Sequence, residues 1–160
     1  AIEACKRLKQ RLIIIGTETP GDPPEYAAAV RGACDGDQII FHGPAYGDEK
    51  LRIFQRAKAL FYPVDYPPGT GEAHSHKSVA PPLCGTPVSL FNQGAMKEIF
   101  DNHTTGVVIN GAAEMPEAIT WAEDLDREKC REVAVHRWGY KSVVAQWLPV
   151  IQEVSRGLRW

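Results

Sequence analysis

Glu72, His74, His76 and Lys77 fall close together in the stretch GEAHSHKSVAPPLCGTPVSL, which runs from Gly71 to Leu90. A carboxylate, two imidazoles and an ammonium at that spacing open three chemistries. His74-Ser75-His76 has the residue types of a metal pair. Residues i and i+2 do not face each other on a helix, however, and no nearby cysteine or second histidine pair completes a zinc set. No metal site is expected. Glu72 and Lys77, five positions apart on one loop, form either a solvated salt bridge or part of a ligand site. Two prolines complicate the stretch, because Pro81 and Pro82 sit where a helix should run. Proline lacks the N–H and clashes in a helix interior, costing about 3 kcal/mol, and it pushes Ala80 away from helical angles. The helix is expected to be short, with the prolines in its first turn after Ser78, or else kinked.

The elements around this stretch follow from periodicity. RLIIIG (Arg11–Gly16) is a continuous apolar run ending in glycine, the pattern of a strand buried on both faces. Gln38–Gly43, Ala59–Val64, Pro87–Phe91 and Gly106–Asn110 share the form. Helical patterns lie between them. PPEYAAAVRGA opens with prolines, which a helix start tolerates. GDEKLRIFQRAKA offers Asp48 as an N-cap, with Leu51, Ile53, Phe54 and Ala57 as its apolar face. GAMKEIFDN is short, and EMPEAITWAEDL, DREKCREVAVHRW and a long segment from Trp138 complete the series. Strands alternating with helices at this spacing predict an α/β fold, a Rossmann-like doubly wound parallel sheet. Ligands of such sheets bind beyond the carboxyl ends of the strands, here residues 16–24, 43–48, 64–77, 91–95 and 110–114. The first of the helical patterns, AIEACKRLKQ, begins without a cap and reads as the tail of a longer helix.

Composition narrows the partners. A formal net charge of -2 gives no basic field for duplex nucleic acid. No run approaches the roughly 18 apolar residues of a membrane span, and no signal peptide opens the chain. Cys5, Cys34, Cys84 and Cys130 are widely spaced. They read as buried free thiols of a reducing compartment, so a cytoplasmic location is expected. Neither GxGxxG nor GxxxxGK occurs, which argues against a dinucleotide fingerprint or a P-loop.

The order of segments resembles the C-terminal, donor-binding half of GT-B glycosyltransferases, specifically the family 4 retaining enzymes (glycosyl transferases group 1), over nearly the whole chain. LIIIGTETPGDPPEY is similar to the family's strand, glycine and variable loop. IIFHGPAYGDEKLRIFQRAKALFYPV resembles the strand, glycine, helix and strand ending in proline that precede the donor site. LCGTPVSLFNQGAMKEIF is similar to the family's ACGTPVV…G…PEII, and TTGVVINGAAEMPEAI to its closing segment. The CGTPV core with its neighbours is the most specific of these.

The resemblance implies a single domain over 1–160 that binds a nucleotide-diphosphate sugar and forms part of a two-domain enzyme. That enzyme would transfer the sugar to an acceptor with retention of configuration, without a metal or other cofactor. The family places two glutamates, separated by seven residues, before ACG. The first matches Glu72, which would lie by the donor sugar as the catalytic carboxylate. The second falls on Ala80, which is no acid, so the ribose contact is expected to weaken or pass to backbone groups. Ser75 stands where the family has glycine. Donor contacts are expected from Gly16, Tyr46, His74, Ser75, His76, Lys77, Gly94 and Ala95, with residues 44–47 by the base. Backbone N–H groups at a helix start, with a lysine, can hold a diphosphate. The family's phosphate-binding arginine and lysine, and its acceptor domain, lie upstream of Ala1, so the isolated chain is expected to transfer nothing. The resemblance leaves peripheral membrane association to that absent half. Two other readings stay open: a non-catalytic nucleotide-sugar-binding or interaction module, and a sugar epimerase of related GT-B build. Tyr140, Val143, Val144, Trp147, Ile151 and Val154 form a helical stripe that normally faces a core. Pro149 is expected to kink it, so that residues beyond, with Leu158 and Trp160, project for self-association.

Overall fold

Each of the five apolar runs becomes a parallel strand, and helices fill the intervals between them. The computed structural model describes residues 1–17, 23–64, 76–100 and 103–157. In chain order these give α1 (Ile2–Arg7), β1 (Leu12–Ile15), α2 (Pro24–Gly32), β2 (Ile39–Gly43), α3 (Gly47–Arg56), β3 (Leu60–Tyr62), α4 (His76–Leu83), β4 (Val88–Phe91), α5 (Met96–Phe100) and β5 (Gly106–Ile109). A 3₁₀ turn (Ala112–Glu114), α6 (Met115–Glu123), α7 (Arg127–Trp138) and α8 (Tyr140–Ser155) follow. β1 pairs with β2, and β3, β4 and β5 pair in that order, all in parallel. The expected Rossmann-like α/β architecture is present, with its strands in two groups.

Strand side chains alternate between two apolar clusters, the signature of a sheet covered on both faces. One cluster gathers Cys5, Ile39, Ile109, Met115 and Ile119, with Phe61, Phe91 and Val107 against it. The other gathers Val79, Val88, Leu90, Met96 and Phe100, with Leu60, Val108 and Trp138. β1 departs from expectation. It is not buried on both faces, and Ile13 is 41% exposed. A cleft beside it, described below, accounts for the exposure.

The CGTP segment ties the second cluster together. Gly85 N–H donates to Pro82 O at 2.9 Å and Thr86 N–H to Pro81 O at 3.0 Å, the paired bonds of a Schellman cap on α4. Gly85 has φ +79°, and a Cβ there would meet Arg127 O at 2.8 Å, so only glycine fits. The buried Thr86 hydroxyl donates to Phe54 O and accepts from Arg127 Nη2 at 2.9 Å. Arg127 also donates to Ala57 O at 2.7 Å and to Gln55 O at 2.8 Å. One arginine at the start of α7 therefore satisfies carbonyls that the end of α3 leaves open. Farther along α7, Arg137 donates to Ile99 O at 2.9 Å, and Trp138 packs against Phe100 with ring centroids 5.3 Å apart.

Three local expectations need correction. α4 begins at His76, so Pro81 and Pro82 stand in its second turn and not in a first turn after Ser78. Asp48 is not the cap of α3, because the helix opens at Gly47 with the extended Tyr46 before it. The stripe on α8 faces no core: the helix has no buried residue, and Tyr140, Val144 and Trp147 are as open as Ile151 beyond Pro149. The cause is that α8 packs chiefly on α7, so its projection begins at its first turn. Leu158 and Trp160 lie outside the described residues.

Two substitutions test this packing. Gly85→Ala should lower unfolding stability by about 1–3 kcal/mol from backbone strain alone, and by more where the new Cβ meets Arg127; urea denaturation reads the loss. The Ser89 hydroxyl is buried on β4 and finds no hydrogen-bond partner among the described residues. An unmet buried hydroxyl carries a desolvation penalty of about 1–3 kcal/mol, so Ser89→Ala should hold or raise the urea midpoint.

Candidate functional site

Parallel strands deliver their carboxyl ends to one edge of a sheet, and the described candidate residues all follow such ends. Gly16 comes directly after β1. Tyr46 precedes α3, beyond β2, and is 73% exposed, with its ring open to solvent. His76 and Lys77 are the first two residues of α4, so they belong to a helix start and not to the loop on which the sequence placed Lys77. Both are exposed. Gly94 and Ala95 lie between β4 and α5, and Gly94 has φ +53°, a left-handed conformation that lets the chain turn from strand into helix. Glu72, His74 and Ser75 lie outside the described residues. Ala80, at the position of the second acid, is half-buried within α4.

The start of α4 has the electrostatics of an anion site. The first four N–H groups of a helix lack partners within it and carry the positive end of its dipole. No acid occupies the first turn of α4, and Lys77 adds a full charge there.

Polar residues that the sequence reading did not single out lie at the same strand ends. Asn92, just past β4, donates through Nδ2 to Asn110 Oδ1 at 3.2 Å. Asn110, just past β5, donates through its backbone N–H to Glu114 Oε2 at 3.0 Å and through Nδ2 to Glu114 Oε1 at 3.3 Å. This chain ties the ends of β4 and β5 and holds a carboxylate at the end of β5. At the end of β2, His42 Nε2 lies 3.6 Å from Glu49 Oε1, one turn of α3 beyond Tyr46. His42, Asn92 and Asn110, polar residues directly after the apolar runs of β2, β4 and β5, were the available signal, since the strand-end rule marks those positions.

A cleft of about 1320 Å³ opens between β1 and β3. Leu12–Ile15 and Ala59–Pro63 line it, with His42 and Glu49 at one end. None of the six described candidate residues lines it, so the cleft and the loop cluster are separate features. Among the described residues, no group of three or more His, Cys, Asp or Glu could hold a metal ion, and no helix is long and apolar enough to cross a membrane.

No family model matches the chain, and no curated protein does. Solved structures do match. The chain superposes on AviGT4, a glycosyltransferase involved in avilamycin A biosynthesis, with a TM-score of 0.79 at 21% identity, over 99% of this chain and 46% of that one. Sucrose-phosphate synthase of Thermosynechococcus elongatus gives 0.71 at 18% identity, over 98% and 42%. HepE of Anabaena, solved in complex with UDP, gives 0.67 at 14% identity, over 94% and 43%. The fold is therefore that of one Rossmann-like half of a GT-B glycosyltransferase, and the chain spans less than half the length of the structures it matches.

None of the shifted thiols is built as a nucleophile. Burial pushes Cys5 and Cys84 above the ordinary thiol value. It pushes Cys130, fully enclosed on α7, from 9.0 to about 11 despite the pull of Arg127. A thiol raised in the folded state leaves stability intact below the unfolded value and removes it as pH rises toward the folded one. Unfolding stability should accordingly fall between about pH 9 and pH 11 in urea titrations, and Cys130→Ala should flatten that part of the profile. At pH 8 iodoacetamide should leave Cys130 unmodified in the folded chain.

Proposed function

We propose that the chain is the donor-binding half of a glycosyltransferase that moves a sugar from a nucleotide-diphosphate sugar to an acceptor. The observation that carries the reading is the superposition on glycosyltransferases along 94–99% of the chain, with the candidate residues following successive strand ends on such a fold. The UDP complex of HepE supports a uridine nucleotide as the first donor to try.

The division of labour follows from residue type. Cleaving the bond from sugar to diphosphate builds positive charge on the ring and negative charge on the leaving group. The N-terminal N–H groups of α4 and the Lys77 ammonium receive the departing diphosphate. Tyr46 gives the base an exposed ring to stack on. Glu72 accepts hydrogen bonds from sugar hydroxyls and faces the ring as charge develops. With Ala80 in place of an acid, the ribose is held by backbone groups or by a carboxylate such as Glu114. Retention of configuration and independence of metal belong to this reading.

Half a cleft does not position an acceptor, and positioning contributes about 7–11 kcal/mol of barrier lowering in two-substrate reactions. Calorimetry of the 160-residue chain with UDP-, GDP- and ADP-sugars should show binding to one of them with a Kd of about 1 mM, weakened further by Lys77→Ala. The chain should transfer no sugar. In the longer polypeptide, Glu72→Ala should depress turnover far more than it lowers the melting temperature. Wild-type turnover in that variant removes the mechanism. Donor binding without turnover in the longer wild-type polypeptide supports instead a nucleotide-sugar-binding module, the reading that Ala80 favours.

A further inference from the structure

β4 ends at Phe91, and the chain turns into α5 through Asn92, Gln93, Gly94 and Ala95. Two backbone bonds close the turn. Gln93 N–H donates to Phe91 O at 2.8 Å, and Met96 N–H donates to Gln93 O at 3.1 Å. In the sequence between those donors, the N–H groups of Gly94 and Ala95 have no partner among the described residues. Gly94 is exposed and stands at φ +53°. Successive open N–H groups in a turn make a small anion-binding concavity. β4 pairs with β3, so this turn lies at the strand end next to the one that leads toward α4.

The neighbouring strand supplies what holds the turn. Asn92 N–H donates to Ile109 O at 2.9 Å, which extends the β4–β5 pairing past Phe91. Asn92 Nδ2 donates to Asn110 Oδ1 at 3.2 Å. Glu114 fixes Asn110 in turn, accepting from its backbone N–H at 3.0 Å and from its Nδ2 at 3.3 Å. The carboxylate accepts only, so it draws the Asn110 nitrogen to itself and leaves the amide oxygen for Asn92. Asn92 and Asn110 are both exposed, so these bonds do not serve the core.

We propose that Asn110 is a positioning residue for donor binding. Backed by Glu114, it holds Asn92 so that the N–H groups of Gly94 and Ala95 converge on a phosphate oxygen of the donor's diphosphate. Asn110 itself does not touch the ligand. The inference rests on the donor-binding reading above and adds to it the means by which the turn keeps its binding shape. Two N–H groups grip an oxyanion well only when both directions are set beforehand. Ordering a mobile turn on binding costs conformational entropy, and that cost is subtracted from affinity.

NMR titration of the 160-residue chain with UDP tests it. In the wild type, the amides of Gly94 and Ala95 should shift along with that of Lys77 as UDP is added. Asn110→Ala and Glu114→Ala should each raise the Kd about fivefold, with the melting temperature unchanged, as is usual for surface positions. Glu114→Gln keeps an acceptor for Asn110 and should stay within about twofold of the wild type. Asn92 and Asn110 act through one contact, so the double alanine variant should bind no more weakly than Asn110→Ala alone. Losses that multiply in the double variant overturn the proposal, because Asn92 or Asn110 then touches the ligand directly. A fall in melting temperature alongside the lost affinity overturns it too, since Asn110 then serves the fold. Shifts at Lys77 without shifts at Gly94 and Ala95, or wild-type affinity in Asn110→Ala, sink the inference and leave the donor-binding reading standing. No shift at any amide up to about 10 mM UDP removes both.

Discussion

The guanidinium of Arg127 is the point on which the second half of the chain is hung. Its donors reach Ala57 O, Gln55 O and the Thr86 hydroxyl, so a single planar group joins the end of α3, the turn after α4 and the start of α7. A lysine could not make this set, because the contacts need a rigid fork. Neither could another residue stand at Gly85, where the backbone of Arg127 approaches too closely for a Cβ. The Gly-Thr-Pro sequence therefore has a structural explanation independent of any ligand. Glycine allows the approach, threonine bridges α3 to the arginine, and proline leads into the buried strand. What the proposed donor site gains is a fixed α4, and with it a fixed direction for the helix start at His76 and Lys77.

Strand existence was legible because buried parallel strands are nearly continuous apolar runs, and each of the five runs from RLIIIG to GVVIN forms one. Helix starts were less so. Asp48 has the right chemistry for a cap, but the chain turns into α3 one residue earlier at Gly47, and tertiary placement overrode propensity. The grouping of strands was not legible at all, since an apolar run does not say which strand lies beside it. β1 reads as buried because its residues are apolar on both faces, and the cleft beside it leaves Ile13 open.

The α8 stripe repeats that lesson at the other end of the chain. Tyr140, Val144, Trp147 and Ile151 keep helical spacing, and the pattern correctly reports a face suited to burial. It does not report where the covering surface comes from. α8 touches chiefly α7 and leaves the stripe open. The site was legible only to the level of topology for a related reason. Gly16, Tyr46, His76, Lys77, Gly94 and Ala95 follow strand ends because the fold dictates it. The Asn92–Asn110–Glu114 chain depends on side-chain reach across two strands, which no linear spacing encodes.

The two prolines, finally, are compatible with a working helix start because of where their missing donors fall. In an α-helix the N–H of residue i bonds the carbonyl four residues back, so Pro81 and Pro82 withhold donors from Lys77 and Ser78. The N–H groups of His76 to Val79 are not removed by either proline. The helix then closes within two residues on the Schellman bonds, whose acceptors are the proline carbonyls themselves. Both rings are fully buried in α4, which packs on α7, and their fixed φ limits the freedom of the unfolded chain. A second turn weakened in its backbone ladder is thus held by packing, while the first turn keeps its donors. The prolines shorten α4 at the end away from the proposed donor and leave the end toward it intact.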